Sequence, residues 1–100
     1  MGFGLRDVSG ISFTYASWIT SDGQVTSSND LRLTPLRMAQ VAGRDVPVDW
    51  RIELPSQGLD IKTIAVNDKS WQATLVPYWE GPVIASGTHE GQGYLEMTGY

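Results

Sequence analysis

The sequence predicts an all-β fold: an antiparallel barrel, incomplete, with roughly six or seven strands and little or no helix. Three observations lead there. Turn chemistry recurs every ten to twenty residues or so, the pattern of short strands joined by hairpins. The stretches between turns alternate apolar and polar side chains, and a period of two belongs to strands. Sustained helical periodicity is lacking, with one short exception discussed below.

Ile11, Phe13, Tyr15 and Ile19 share one side of a strand, with Ser12, Thr14 and Thr20 mostly opposing them. Ser21-Asp22-Gly23-Gln24 closes a hairpin, because Asp-Gly tolerates the positive φ of a tight primed turn. Thr34–Val41 admits two readings. Thr34 as cap and Pro35 at the first position would start a helix; an irregular strand is the preferred alternative. Ala42–Asp45 is a turn, and Val48–Leu54 is the clearest strand. There Val48, Trp50, Ile52 and Leu54 point one way and Asp49, Arg51 and Glu53 the other, which describes a half-buried antiparallel strand. After a turn at Pro55–Gly58, Leu59–Val66 continues in kind, but its phase slips between Ile61 and Ile64 and predicts a bulge. Asn67–Ser70 turns the chain again; Pro82 marks an edge or a kink, and Gly87–Gly93 a hairpin connection. A closed up-and-down barrel needs about eight strands. An edge is therefore left open, or is covered by another segment or chain, and an uncovered edge predicts a homo-oligomer paired through it.

One hundred residues make a single domain, 1–100, with room for a modest core. Without cysteine there is no disulfide framework and no thiolate metal site. A net charge of −4 and seven scattered basic residues argue against nucleic acid as a partner, since phosphate binding needs clustered Lys and Arg. No apolar stretch nears the ~20 residues of a membrane-spanning helix. The opening MGFGLRDVSG lacks the basic-then-apolar layout of a signal peptide, so an export signal, and with it a periplasmic or secreted location, would belong to a longer parent.

Familiar catalytic sites are missing. The single histidine, His89, sits among glycines and reads as an exposed loop residue; no nucleophile elbow accompanies any serine. The glycines of GTHEGQG do not follow a strand-to-helix pattern, so they do not cradle phosphate. What remains is a density of rings and acids. Trp18, Trp50, Trp71, Trp79, Tyr15, Tyr78, Tyr94 and Tyr100 either fill a β core, keeping polar tips near its mouth, or line a ligand cavity. Glu80 follows two rings, and Glu96 lies between Leu95 and Met97. In apolar surroundings a carboxyl group holds its proton to higher pH and can donate it, as protonation of a carbon–carbon double bond requires. The simpler reading puts Glu96 in water beside Tyr94 and Thr98, with Leu95 and Met97 on the core side. Asp49, on the polar side of its strand, is the weaker candidate.

Pro47–Pro55, then Tyr78-Trp79-Glu80-Gly81, Ser86-Gly87 and Gly93-Tyr94-Leu95-Glu96-Met97-Thr98-Gly99-Tyr100 resemble the C-terminal lipocalin-like domain of the carotenoid 1,2-hydratase (hydroxyneurosporene synthase) and AttH-like family. The likeness runs from about Gly10 to Tyr100, and the spaced motif pair is its specific part. The resemblance implies two tandem lipocalin-like barrels, this chain being the second and the N-terminal barrel its partner. It implies an apolar small-molecule ligand, polyene-like or prenylated, in a cavity needing no cofactor. Family activities include adding water to isolated double bonds of carotenoids and of an isoprenoid-substituted phytoalexin. AttH-like members often accompany transporter components. Carried over by position, Trp50, Tyr78 and Trp79 would touch ligand, with Tyr94 and Glu96 next, and Glu80 would be the proton donor. The sequence departs from the family in a first strand shortened to Phe3–Arg6, its short Gly87–Gly93 hairpin and the absence of the preceding barrel. Three functions follow as expectations: a hydratase domain active only within its parent, a non-catalytic carrier of a lipid-like ligand, and a structural support domain.

Overall fold

The computed structural model describes all residues, Met1–Tyr100. Nine strands follow one another: β1 (Gly2–Asp7), β2 (Gly10–Ile19), β3 (Val25–Ser28), β4 (Arg32–Val41), β5 (Arg44–Leu54), β6 (Leu59–Ala65), β7 (Trp71–Gln72), β8 (Tyr78–Gly87) and β9 (Gly91–Thr98). The one helical element is a 3-10 turn at Pro55–Gln57. The excess over six or seven strands comes from β3 and β7, four and two residues long, too short to show a period. All pairings are antiparallel, in a three-stranded sheet β1-β2-β3 and a six-stranded sheet β4-β5-β6-β8 in which β7 and β9 also pair with β8. The two sheets stay open and do not close into a barrel.

The six-stranded sheet is organised by β5. Val48, Trp50 and Leu54 are buried and Ile52 half-buried, while Arg51 is exposed, as the alternation requires. Val41, Val46, Val48, Trp50, Ala65, Trp79 and Met97 form the main core, and Ala16, Leu31 and Leu54 a second one. Trp79, Val46, Val48 and Pro47 are fully buried. Neither buried indole leaves its N–H unpaired. Trp50 Nε1 donates to the Pro47 carbonyl at 3.1 Å and Trp79 Nε1 to that of Asp68 at 2.7 Å. On the outer face Asp49 accepts from the Ala65 N–H at 3.1 Å, standing in for ladder pairing that ends at Trp50–Thr63. It also meets Arg37 Nε at 2.6 Å, and the same guanidinium reaches Asp68 at 2.7 Å.

Thr34–Val41 is strand, irregular as expected, with register shifts around Pro35, Arg37 and Met38 where proline cannot complete the ladder. The bulge expected in β6 is absent. Its register runs unbroken from Leu59 to Ala65, because the inward slot between Ile61 and Ala65 is taken by buried Thr63, while Ile64 faces outward opposite Ile84. The irregularity lies instead between β1 and β2. Leu5 pairs with Phe13 and Arg6 with Ile11, leaving Ser12 as the extra residue. Ile11 thereby turns inward against the main core, whereas Phe13 and Ile19 face out. The side shared by Ile11, Phe13, Tyr15 and Ile19 is thus split by a bulge. Pro82 sits inside β8, where one neighbour gives way to the next. Its carbonyl accepts from Val66, just past β6, and β7 pairs with β8 from three residues earlier, at Trp79.

Gly87 ends β8 at φ +129°, and a Cβ there would lie 2.5 Å from the Asp60 carbonyl oxygen. Gly87→Ala is expected to destabilise the fold by about 1–3 kcal/mol in urea unfolding. Gly91→Ala, with nothing within 4 Å of its added carbon, should stay within about 0.5 kcal/mol of the parent.

Candidate functional site

Five of the six candidate residues lie on the β8–β9 hairpin, and pleating divides them. Glu80 pairs with Glu96, Tyr78 with Thr98, Trp79 with Met97 and Pro82 with Tyr94. Successive side chains point to opposite faces. Trp79 and Met97 go into the core, so Tyr78, Glu80, Tyr94 and Glu96 share the outer face. Tyr78 and Glu80 are half-buried there, Glu96 and Tyr94 exposed. Trp50, on β5, joins Trp79 in the core. The structure therefore brings Tyr78, Glu80, Tyr94 and Glu96 together and puts the two indoles on the other side of the sheet. Glu96 takes the water-facing orientation, with Leu95 and Met97 on the core side.

The Tyr78 phenol lies beside the Glu80 carboxylate on this face. Its interaction with Glu80, then partial desolvation and the nearby charges of Glu80 and Glu96, hold the phenol pKa above its ordinary 10.0. The result is a phenol kept protonated beside two carboxylates facing each other across strands.

A different region is groove-shaped. Where the two sheets meet without pairing, Thr14 Oγ1 donates to the Leu31 carbonyl at 2.7 Å. Beside this bond runs an open groove of about 300 Å³, lined by Ile11, Phe13, Leu31 and Leu33 together with Ser12, Thr14 and Arg32. The three-stranded sheet approaches closely here, since a Cβ on Gly2 or Gly4 would lie 2.8 Å from Leu31 Cδ2 or 3.0 Å from Leu33 Cδ1. The corner leading into β4 is held by Asp30, which accepts from the Ser56 N–H at 2.7 Å and hydroxyl at 2.9 Å. Burial pushes the Asp30 carboxyl up, but the Ser56 bonds outweigh it and hold the pKa low. None of these groove residues stood out in the sequence. The available signal was Asn29-Asp30 followed by Leu31 and Leu33, a turn opening on two apolar residues of equal parity.

A second depression, about 690 Å³, lies on the outer face over Arg51, Asp60 and Lys62. Arg51 already pairs with Asp60 at 2.8 Å, so that floor is occupied by its own charges. His89 is exposed, as expected for a loop residue, with its ring edge-on to Trp18 at 5.6 Å.

Ultraviolet titration should place the Tyr78 midpoint above 10.0. Its raised folded-state pKa gives a stabilising contribution that is complete below the unfolded value of about 10 and disappears as pH climbs through the folded value. Glu80→Gln should bring the midpoint back down; a midpoint indifferent to that change would refute the pairing.

The AttH-like family profile matches residues 1–100. No curated protein matches the sequence. Among solved structures the chain is similar to the candidate AttH protein NE1406 of Nitrosomonas europaea, with 23% identity and a TM-score of 0.84 over 99% of this chain. The match spans 34% of that protein's chain, so this sequence corresponds to about a third of its length. At that identity the likeness shows the shared fold, and the lipocalin-type architecture is the part of the resemblance it carries. By the match along its whole length, the chain belongs to the AttH-like family.

Proposed function

We propose that this chain is an apolar-ligand-binding, lipocalin-like domain with no catalytic step of its own, holding a slender isoprenoid- or lipid-like chain in the seam between its two sheets. The observation that carries this reading is the open groove of about 300 Å³, with Ile11, Leu31 and Leu33 as apolar walls and Ser12, Thr14 and Arg32 as polar ones. Ligand sites combine apolar lining with a few fixed polar groups in this way. The Arg32 guanidinium suits an oxygenated end group, and the apolar walls suit the tail.

Titration with a fluorescent polyene fatty acid should show saturable binding with a Kd on the order of 10 μM. Leu33→Glu, which places a charge on the apolar wall, should weaken it at least about tenfold. Glu80→Gln should leave it unchanged. Binding that survives Leu33→Glu would remove the seam as the site.

A second reading is hydration of an isolated double bond, with Glu80 donating the proton. It draws support from the grouping of Tyr78, Glu80, Tyr94 and Glu96 on one face of the β8–β9 hairpin. That face is open in this chain, so the chemistry belongs to a longer parent in which the N-terminal barrel covers it; a solved relative about three times as long is compatible with such a parent. Glu80→Gln in the full-length parent should then abolish incorporation of water into a carotenoid-like substrate. Hydration continuing at the parental rate would exclude Glu80 from the mechanism.

A further inference from the structure

The three-stranded sheet has its amphipathicity reversed. The side turned to the rest of the molecule carries Gly2, Gly4, Thr14 and Ala16, together with Trp18. The side turned to solvent carries Phe3, Leu5, Phe13, Tyr15, Ile19 and Val25. Cross-strand pairing gathers these into one patch: Phe3 opposite Tyr15, Leu5 opposite Phe13, and Ile19 opposite Val25. The rings pack on each other, with Phe3 centred 6.2 Å from Phe13 and 5.7 Å from Tyr15. Yet Phe3, Leu5, Phe13, Ile19 and Val25 remain 45%, 58%, 49%, 59% and 61% exposed. A sheet with one apolar face ordinarily buries it.

We infer that this face is an interface with a second copy of the same chain, the two three-stranded sheets packing face to face about a two-fold axis. Three observations favour a copy as the occupant. The face is uncharged across its centre, where the polar groups are Ser17, Ser27 and the Tyr15 hydroxyl, and its charged side chain, Asp7, stands at the far end of β1, so a copy meets the centre without like-charge repulsion although the chain as a whole carries −4. Tyr15 already donates to Ser27 at 2.7 Å, so the phenol at the middle of the patch presents no unmet donor of its own. Scaled to ordinary side-chain areas, the exposed parts amount to roughly 500 Å² per copy, or on the order of 1,000 Å² for the pair, about where specific association begins. Sheets stacked this way sit about 10 Å apart with interleaved side chains, a geometry open to aromatic and β-branched residues on both sides. This contact is distinct from pairing through a sheet edge, since it uses side chains and no free backbone groups.

Light scattering of the unmodified chain at ~100 μM should report twice the monomer mass, given the micromolar affinity such an area supports. Added salt should tighten the dimer by screening the charges outside the face. Because the chain has no cysteine, a single introduced one reports position directly. Leu5→Cys should cross-link between chains under mild oxidation, and Thr98→Cys, on the outer face of the other sheet, should not. The double variant Phe3→Ser and Leu5→Ser should raise the dimer Kd at least about tenfold. If that variant loses its near-ultraviolet circular dichroism, the cysteine pair decides. A monomeric parent, or cross-linking at Thr98→Cys in preference to Leu5→Cys, would overturn the inference, the first pointing to another occupant of the face and the second to edge pairing along β9.

Discussion

The parity of one strand decides most of this structure. On β8 the Trp79 indole is fully buried, its N–H held by the Asp68 carbonyl, and its cross-strand partner Met97 is buried with it. Burying an indole removes about 150–250 Å² of largely apolar surface, on the order of 4–6 kcal/mol. Turning the strand over would surrender that and put Glu80 and Glu96 into the core, where a carboxylate is costly without a partner. The strand therefore has one orientation. Tyr78 and Glu80 follow outward as a consequence, and Tyr94 and Glu96 with them through the ladder.

The second constraint is the failure of the two sheets to join. The main core is packed around Trp79, Trp50 and the β5 valines, all of them buried. A groove of about 300 Å³ lies at the seam, where Thr14 bridges to Leu31 by a side chain. Next to the groove, where Arg6 pairs with Ile11, the C-terminal residues tie the sheets together. Arg6 donates to the Gly99 carbonyl at 2.5 Å and stacks on the Tyr100 ring at 3.8 Å, while Arg44 donates to the Tyr100 carbonyl at 2.8 Å. The sheets are thus tied beside a groove at the seam, held through side chains where a closed barrel would have backbone ladders.

Much of this was legible in the residues alone. The β5 alternation from Val48 to Leu54 named the core strand, and the turns at Asp22-Gly23, Ala42-Gly43 and Gly87–Gly93 fell where the chain reverses. The Ala42-Gly43 turn takes positive φ at both positions, 52° and 75°, the primed geometry of a two-residue hairpin. Four residues of β3 and two of β7 were invisible because so short a stretch carries no period. The supposed slip in β6 came from treating Ile64 as a core residue. A buried threonine, Thr63, holds the inward slot, and no apolarity rule anticipates that.

Local chemistry determined the strands, their turns and the alternation along each, because backbone pleating and the φ needs of tight turns act over a few residues. It also determined that Glu80 and Trp79 must face opposite ways, since neighbours on a strand always do. Which of the two faces inward was decided only by the assembled sheet, where Trp79 meets Val46, Val48 and Met97, partners distant along the chain. The bulge at Ser12, the close approach of Gly2 and Gly4 to Leu31 and Leu33, and the groove beside them are tertiary for the same reason. Each depends on how one sheet lies across another, and that is set by the sum of distant apolar contacts rather than by any single stretch of sequence.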